Sequence, residues 1–188
     1  MKVLLGVSGG IAAYKACDVV SQLRKLSHEV RVVLTTNGGR FVTPLTFEAL
    51  SGNPVLTDTF AGASVGGDVG AIDHINWAKW PDVVLVAPAS ANTLARIACG
   101  LADDALNTVL LALPQATPVI LAPAMNTEMW RNPATVRNLG WIADLGRYRI
   151  VDPVEKRLAC GDIGPGALAA PEDLVAAVVA AHASATSS

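Results

Sequence analysis

Five stretches hold most of the residues whose types and spacing could do chemistry. Asp73-His74-Ile75 precedes Trp77 and Trp80 and carries a histidine, the side chain best suited to exchange protons near neutral pH. Leu158-Ala159-Cys160-Gly161-Asp162-Ile163-Gly164-Pro165-Gly166 sets a thiol among glycines, where backbone movement can expose the sulfur. Pro123-Ala124-Met125-Asn126-Thr127-Glu128-Met129-Trp130 offers Asn126, whose amide both donates and accepts and so suits a carboxylate or an amide. Met125, Met129 and Trp130 add soft apolar contact. Pro88-Ala89-Ser90-Ala91-Asn92-Thr93 supplies two hydroxyls and an amide. In Ser8-Gly9-Gly10-Ile11, glycines let the backbone approach an anion closely, and the helix start behind them presents free N–H donors.

Each stretch also has a plainer explanation. Ser8–Ile11 serves equally as a simple strand-to-helix turn; it is neither a G-x-G-x-x-G dinucleotide fingerprint nor a P-loop. Ser90 or Asn92 could cap a helix, although one cap needs only one such residue. Met125, Met129 and Trp130 read first as core, and a lone histidine is more often structural than catalytic. Turn chemistry accounts for the glycines around Cys160 but not for the cysteine. Cys17 and Cys99 fall in helical patterns and read as small core residues.

The elements that must position these residues follow from periodicity. Lys2–Val7 is a continuous apolar run that reads as a strand buried on both faces. Ile11–Leu26 has helical spacing with Arg24 and Lys25 in its last turn, and Glu29–Thr35 is a second strand. Strand, glycine turn, helix and strand make a right-handed βαβ unit. Further helices are expected over Pro44–Leu50 with Thr43 as N-cap, Ser90–Ala98, Asp103–Ala112, Asn132–Leu139 and Pro171–His182. Further strands are expected at Asp82–Ala87, Pro118–Ala122 and Arg149–Val151. Ser64–Gly70 and 153–168 read as loops, the latter long enough to imply a function, and Ser184–Ser188 as a frayed end. The alternation predicts an α/β fold, a single doubly wound parallel sheet of Rossmann or flavodoxin type with helices on both faces. Its ligand should sit beyond the carboxyl ends of the strands. Four stretches follow strands there: Ser8–Ile11, Thr35–Asn37, Pro88–Thr93 and Pro123–Trp130.

The 188 residues suit one domain, and no internal repeat or long linker divides them. Hydrophobic residues reach 52% and charged residues only 16%, against the usual ~25% charged. So few charges suggest apolar surface facing another subunit. With a net charge of −2 and no Lys/Arg run, neither nucleic acid nor an anionic membrane is indicated. Three cysteines without metal-ligand spacing suggest free thiols in a reducing, cytoplasmic setting and no metal site. Lys2, the apolar stretch Val3–Ala13 and Cys17 superficially suggest a secretion signal. Gly6, Ser8, Gly9 and Gly10 interrupt that run, and Lys15 lies just before the supposed cleavage region, so a buried strand and turn explain the segment better.

Taken together, S-G-G-I-A-A-Y-K at 8–15, D-H-I at 73–75, P-A-S-A-N-T at 88–93, P-A-M-N-T-E-M-W at 123–130 and L-A-C-G-D-I-G-P-G at 158–166 resemble the homo-oligomeric flavin-containing cysteine decarboxylases. The resemblance runs from Lys2 to about Leu174. The family joins a coenzyme A pathway branch, acting on 4'-phosphopantothenoylcysteine, with lantibiotic peptidyl-cysteine decarboxylases; the cysteine loop is similar to the substrate clamp of the former.

The resemblance implies FMN, held by Gly9, Gly10 and Ile11, by Thr35 and Thr36, and by Ser90, Ala91, Asn92 and Thr93, with Ala124 near the ring. It implies a homotrimer with FMN between subunits, and a phosphopantothenate–cysteine ligase for the preceding step. It implies His74 as catalytic base, Asn126 as the contact to the substrate carboxylate with Met125 beside it, and Cys160, between Ala159 and Gly161, as proton donor of the closing step. In the implied chemistry, oxidation of the cysteine to a thioaldehyde provides an electron sink, CO₂ departs to leave an enethiolate, and returned reducing equivalents give 4'-phosphopantetheine. Two positions depart from the family pattern: Gly10 stands where a second serine is usual, and Ala167-Leu168 where Arg-Met is usual, which leaves Arg157 as a substitute cation. Three alternatives stand beside this reading: a lantibiotic-type peptidyl-cysteine decarboxylase; a flavin prenyltransferase, which would not need His74, Asn126 or the Cys160 loop; and a non-catalytic FMN-binding regulatory subunit, which typically carries extra acidic tails where this sequence ends in a short neutral stretch.

Overall fold

The computed structural model describes residues 1–59, 73–157 and 163–186. Six parallel strands form one sheet in the order β3-β2-β1-β4-β5-β6, where β1 is Lys2–Val7, β2 Glu29–Leu34, β3 Val55–Leu56, β4 Val83–Ala89, β5 Val119–Pro123 and β6 Tyr148–Ile150. The order reverses at β1, which pairs with β2 on one side and β4 on the other. A crevice opens at such a switch point, outside the carboxyl ends of the two strands.

Both faces of the sheet are covered, and the period-2 alternation of each strand sorts its residues between them. Val3, Leu5 and Val7 of β1 and Leu85 and Ala87 of β4 enter one core with Phe47 and Leu174; Leu4, Val84 and Val86 enter the other with Leu94, Leu106 and Ile142. Helices α1 (Ala13–Lys25), α2 (Pro44–Ser51) and α8 (Pro171–Thr186) cover the first face. Helices α3 (Asp73–Lys79), α4 (Ala91–Cys99), α5 (Ala105–Ala112) and α7 (Pro133–Asp144) cover the second. A five-residue helix, α6 (Thr127–Arg131), follows β5. The expected doubly wound fold is thus present.

Several boundaries differ from the sequence reading for identifiable reasons. Helix α1 starts at Ala13 rather than Ile11, because Gly10–Ala12 form a turn in which the Gly10 carbonyl accepts from the Ala13 N–H. Thr43 precedes α2 but makes no capping hydrogen bond; its hydroxyl lies 3.3 Å from that of Thr46. Helix α5 starts at Ala105 rather than Asp103, because Asp104 caps it, accepting from the Asn107 N–H at 2.8 Å. Cys99 is exposed rather than core, since α4 ends there against Gly100. Helix α8 continues to Thr186, so 184–186 are helical rather than frayed.

The stretch 153–168 is not a loop throughout. Val154–Arg157 (β7) and Ile163–Ala167 (β8) pair as an antiparallel hairpin. Gly164-Pro165-Gly166 has low strand propensity, but a close approach selects glycine there. A Cβ on Gly166, at φ 141°, would lie 2.2 Å from the Met125 carbonyl oxygen, and the Gly166 carbonyl accepts from the Met125 N–H at 2.9 Å. The hairpin is thereby strapped across the segment after β5. Ala159, Cys160 and Gly161 lie outside the described residues, as does Ser64–Gly70.

Among the described residues, no helix is long and apolar enough to cross a membrane.

Candidate functional site

A cleft of about 660 Å³ opens at the switch point. Gly9, Gly10 and Ile11 line it from the β1–α1 turn, Ser90 and Ala91 from the β4–α4 junction, Ala124, Met125 and Asn126 from the segment after β5, and Gly166 and Ala167 from the hairpin. Three of the four strand-end stretches therefore meet in one place, and the hairpin forms a further wall.

The floor is held by a buried serine. Ser8 donates its hydroxyl proton to the Pro88 carbonyl at 2.8 Å, and the same oxygen accepts from the Ser90 N–H at 2.9 Å. This fixes the end of β1 against the end of β4. A Cβ on Gly9 would lie 2.5 Å from the Asn37 Cβ, so only glycine lets this turn pack on the β2 end, whereas a Cβ on Gly10 would meet nothing within 4 Å. Helix α1 has no side-chain cap and no acidic residue in its first turn. The N–H groups of Gly9, Gly10 and Ile11 make no hydrogen bond, and they sit at the positive end of the α1 dipole. The floor is therefore built of anion-seeking donors.

Ser90 caps α4: its side chain accepts from the Thr93 N–H at 3.3 Å and lies 3.1 Å from the Thr93 hydroxyl. The plain explanation of Ser90 holds, and Ser90 lines the cleft as well. Asn126 likewise caps α6 through its side-chain oxygen, 2.8 Å from the Glu128 N–H, while lining the cleft.

Other expected residues do not line the cleft. The Thr35 hydroxyl is buried and accepts from the Gly38 N–H at 3.0 Å, which caps the short turn after β2. Thr36 and Asn92 are exposed elsewhere, and Thr93 is buried beneath Ser90. His74 is half-buried on α3 and is not part of the cleft wall of its own chain. Its helix is anchored from below: Trp77 is buried, and the Arg31 guanidinium of β2 lies 5.6 Å from the Trp77 ring centre and 4.4 Å from that of Trp80.

The sequence reading nominated Ser8 only as part of its stretch, without a role of its own, and gave no site role to Tyr14, Lys15 or Leu168. A serine ahead of two glycines looks like turn material, and Tyr14 and Lys15 look like helix surface. Only the meeting of β1 with β4, and the return of the chain along β8, reveal that all of them border the cleft or, for Ser8, brace it.

Comparison with known proteins gives a coherent result. A family model described as Flavoprotein matches residues 1–183. The chain is 49% identical over 173 residues to the coenzyme A biosynthesis bifunctional protein CoaBC of Mycobacterium tuberculosis, covering 92% of this chain and 39% of that protein. It thus spans about two fifths of the length of these bifunctional relatives. It is 48% identical over 168 residues to a protein of Streptococcus mutans named probable phosphopantothenoylcysteine decarboxylase, covering 89% of this chain and 91% of that one. Among solved structures, the FMN binding protein AtHal3 superposes with a TM-score of 0.78 at 37% identity over 95% of both chains.

Proposed function

Because this chain belongs to the flavoprotein family, we propose that it binds FMN in the switch-point cleft and decarboxylates 4'-phosphopantothenoylcysteine to 4'-phosphopantetheine, a step of coenzyme A biosynthesis. The relatives named for coenzyme A biosynthesis and for this decarboxylation, and the FMN-binding neighbour, support the reading. The observation that carries it is the cleft itself: a floor of unpaired backbone N–H groups at Gly9, Gly10 and Ile11, facing a wall that presents Asn126.

The residues present fit FMN. Its phosphate needs backbone donors at close range, and the space beside Gly10 is open, with no atom within 4 Å of where a Cβ would lie. Its ring needs flat, small neighbours, which Ala91 and Ala124 provide. Bound FMN supplies a reversible two-electron acceptor beside the thiol-bearing carbon of the substrate.

The chain's own residues orient the substrate and move its protons. Asn126 fixes the substrate carboxylate, and Met125 packs against the chain next to it. Once the cysteine is at the thioaldehyde level, CO₂ leaves because the electron pair it abandons passes to sulfur. His74 serves as the base, and Cys160 returns a proton at the closing step. That His74 stands outside the cleft of its own chain supports a site completed between copies of a homotrimer. Ile11 and Tyr14 at the cleft mouth, 60% and 56% exposed, suit such an interface. The free thiols fit the reducing cytoplasm. The chain works as a single flavoprotein domain, supplied by a phosphopantothenate–cysteine ligase, separate or fused.

The test is an absorption spectrum of the purified protein, followed by incubation with 4'-phosphopantothenoylcysteine in the absence of nicotinamide cofactors. A yellow protein that releases CO₂ and yields 4'-phosphopantetheine is expected. A protein that takes up no FMN, or holds FMN and leaves the compound intact, refutes the reading.

A further inference from the structure

Lys15 is the only charged side chain lining the cleft among the described residues. It lies in the first turn of α1, a place where a cation opposes the helix dipole and an acidic residue would be the stabilising choice. No carboxylate answers it: the ion pairs of the described residues all belong to Arg96, and no hydrogen bond is made by the Lys15 ammonium. Ala167 and buried Leu168 on the hairpin side bring no charge to the opposite wall. A half-buried, unanswered cation beside an uncapped helix start is kept at a cost unless an anion visits it.

The cleft offers two separate places for an anion. The backbone donors of Gly9, Gly10 and Ile11 lie on the floor, beside the Ser8 brace. Lys15 stands four residues beyond Ile11, past the Gly10–Ala12 turn and in the first turn of α1, and its flexible stem lets the charge meet an anion away from the floor. Two phosphates can therefore be held in this cleft at once, one by the floor donors and one by Lys15. The proposed reaction brings two phosphates to this cleft, one on FMN and one on the substrate. We infer that Lys15 is the specificity-determining contact for the phosphate of the substrate, with the floor reserved for the cofactor. This assignment rests on the decarboxylase reading and adds to it the group that separates a phosphorylated small molecule from an uncharged or peptidyl one.

The test compares wild type, Lys15→Met and Lys15→Arg, each saturated with FMN, on 4'-phosphopantothenoylcysteine and on its dephosphorylated form. Bound flavin per subunit is measured in parallel. Wild type should favour the phosphorylated compound in kcat/KM. Lys15→Met should lower that preference roughly 10- to 100-fold, the range expected for a lost hydrogen bond to a charged group, through a raised KM, with flavin content retained. Lys15→Arg should restore most of the preference. An unchanged preference in Lys15→Met overturns the assignment. So does flavin loss with the preference intact, which would place Lys15 on the cofactor. A flavin-loaded wild type that acts on neither compound overturns the decarboxylase reading, and this assignment with it.

Discussion

The Ser8 hydroxyl oxygen bridges two strands that are 80 residues apart in sequence, accepting from the Ser90 N–H and donating to the Pro88 carbonyl. It is buried, and it sits where the sheet order reverses. This side chain, together with the Ser8 N–H donated to the Pro88 carbonyl, therefore holds the floor of donors and the capped start of α4 in one frame.

Ser8→Ala removes that bridge and leaves the Ser90 N–H without its acceptor. A buried donor left unpaired costs about 1–3 kcal/mol. Urea titration should show a stability loss of that order, and the variant should lose FMN on dilution faster than wild type. Unchanged stability and flavin retention would show that the bridge does not organise the site.

Gly10→Ala and Gly166→Ala should behave differently. The new methyl at Gly10 meets no atom within 4 Å, and the resembling family usually carries a serine there, so the melting temperature and FMN retention should both hold. The methyl at Gly166 runs into the Met125 carbonyl at a positive φ, which should cost about 1–3 kcal/mol and detach the hairpin from the site. Thermal unfolding, with flavin fluorescence before and after dilution, distinguishes the two.

His74→Asn should retain FMN and fail to release CO₂. Cys160→Ser should release CO₂ and accumulate the enethiol product in place of 4'-phosphopantetheine. Gas evolution and product mass report both. Wild-type rates from the first, or full turnover by the second, would remove the assigned role.

Hydrogen bonding from Arg96, at 2.6 Å, holds the Asp103 carboxyl below the ordinary carboxylate range. A depressed folded-state value contributes stability above the unfolded value of 3.8 that is lost as pH falls through the folded one. Asp103→Asn should therefore shrink the acid-side slope of stability against pH and leave the neutral-side slope as it was. The effect is small because Asp103 is well exposed. It should shrink further at high salt.

Much of this fold is legible in local pattern. The runs at Lys2–Val7 and Glu29–Leu34, and the helix between them, carry enough apolar periodicity to be read without neighbours. Helix α3, helix α6 and the two-residue strand β3 are too short for any period to register. The hairpin hides behind glycines that exist for its contacts with Met125 and Thr127 rather than for strand propensity. At the site, residues immediately after strands could be nominated because a parallel sheet gathers its strand ends at one edge. That rule says nothing about side-chain direction, so it selected Thr35 and Thr93, whose hydroxyls turn inward, to the Gly38 N–H and to the Ser90 hydroxyl respectively, and passed over Lys15, one turn into a helix. Nor could it place His74, whose helix reaches the sheet through the Arg31–Trp77–Trp80 stack.

Helix α8 leaves the hairpin beside the cleft wall at Leu168 and ends where Ala181, Ser184 and Ala185 adjoin Pro118 and Tyr148, at the starting ends of β5 and β6. It carries the polypeptide from the working rim of the sheet to the opposite rim. Thr186 therefore stands at the rim opposite the cleft, and α8 leaves the cleft mouth of its own chain clear.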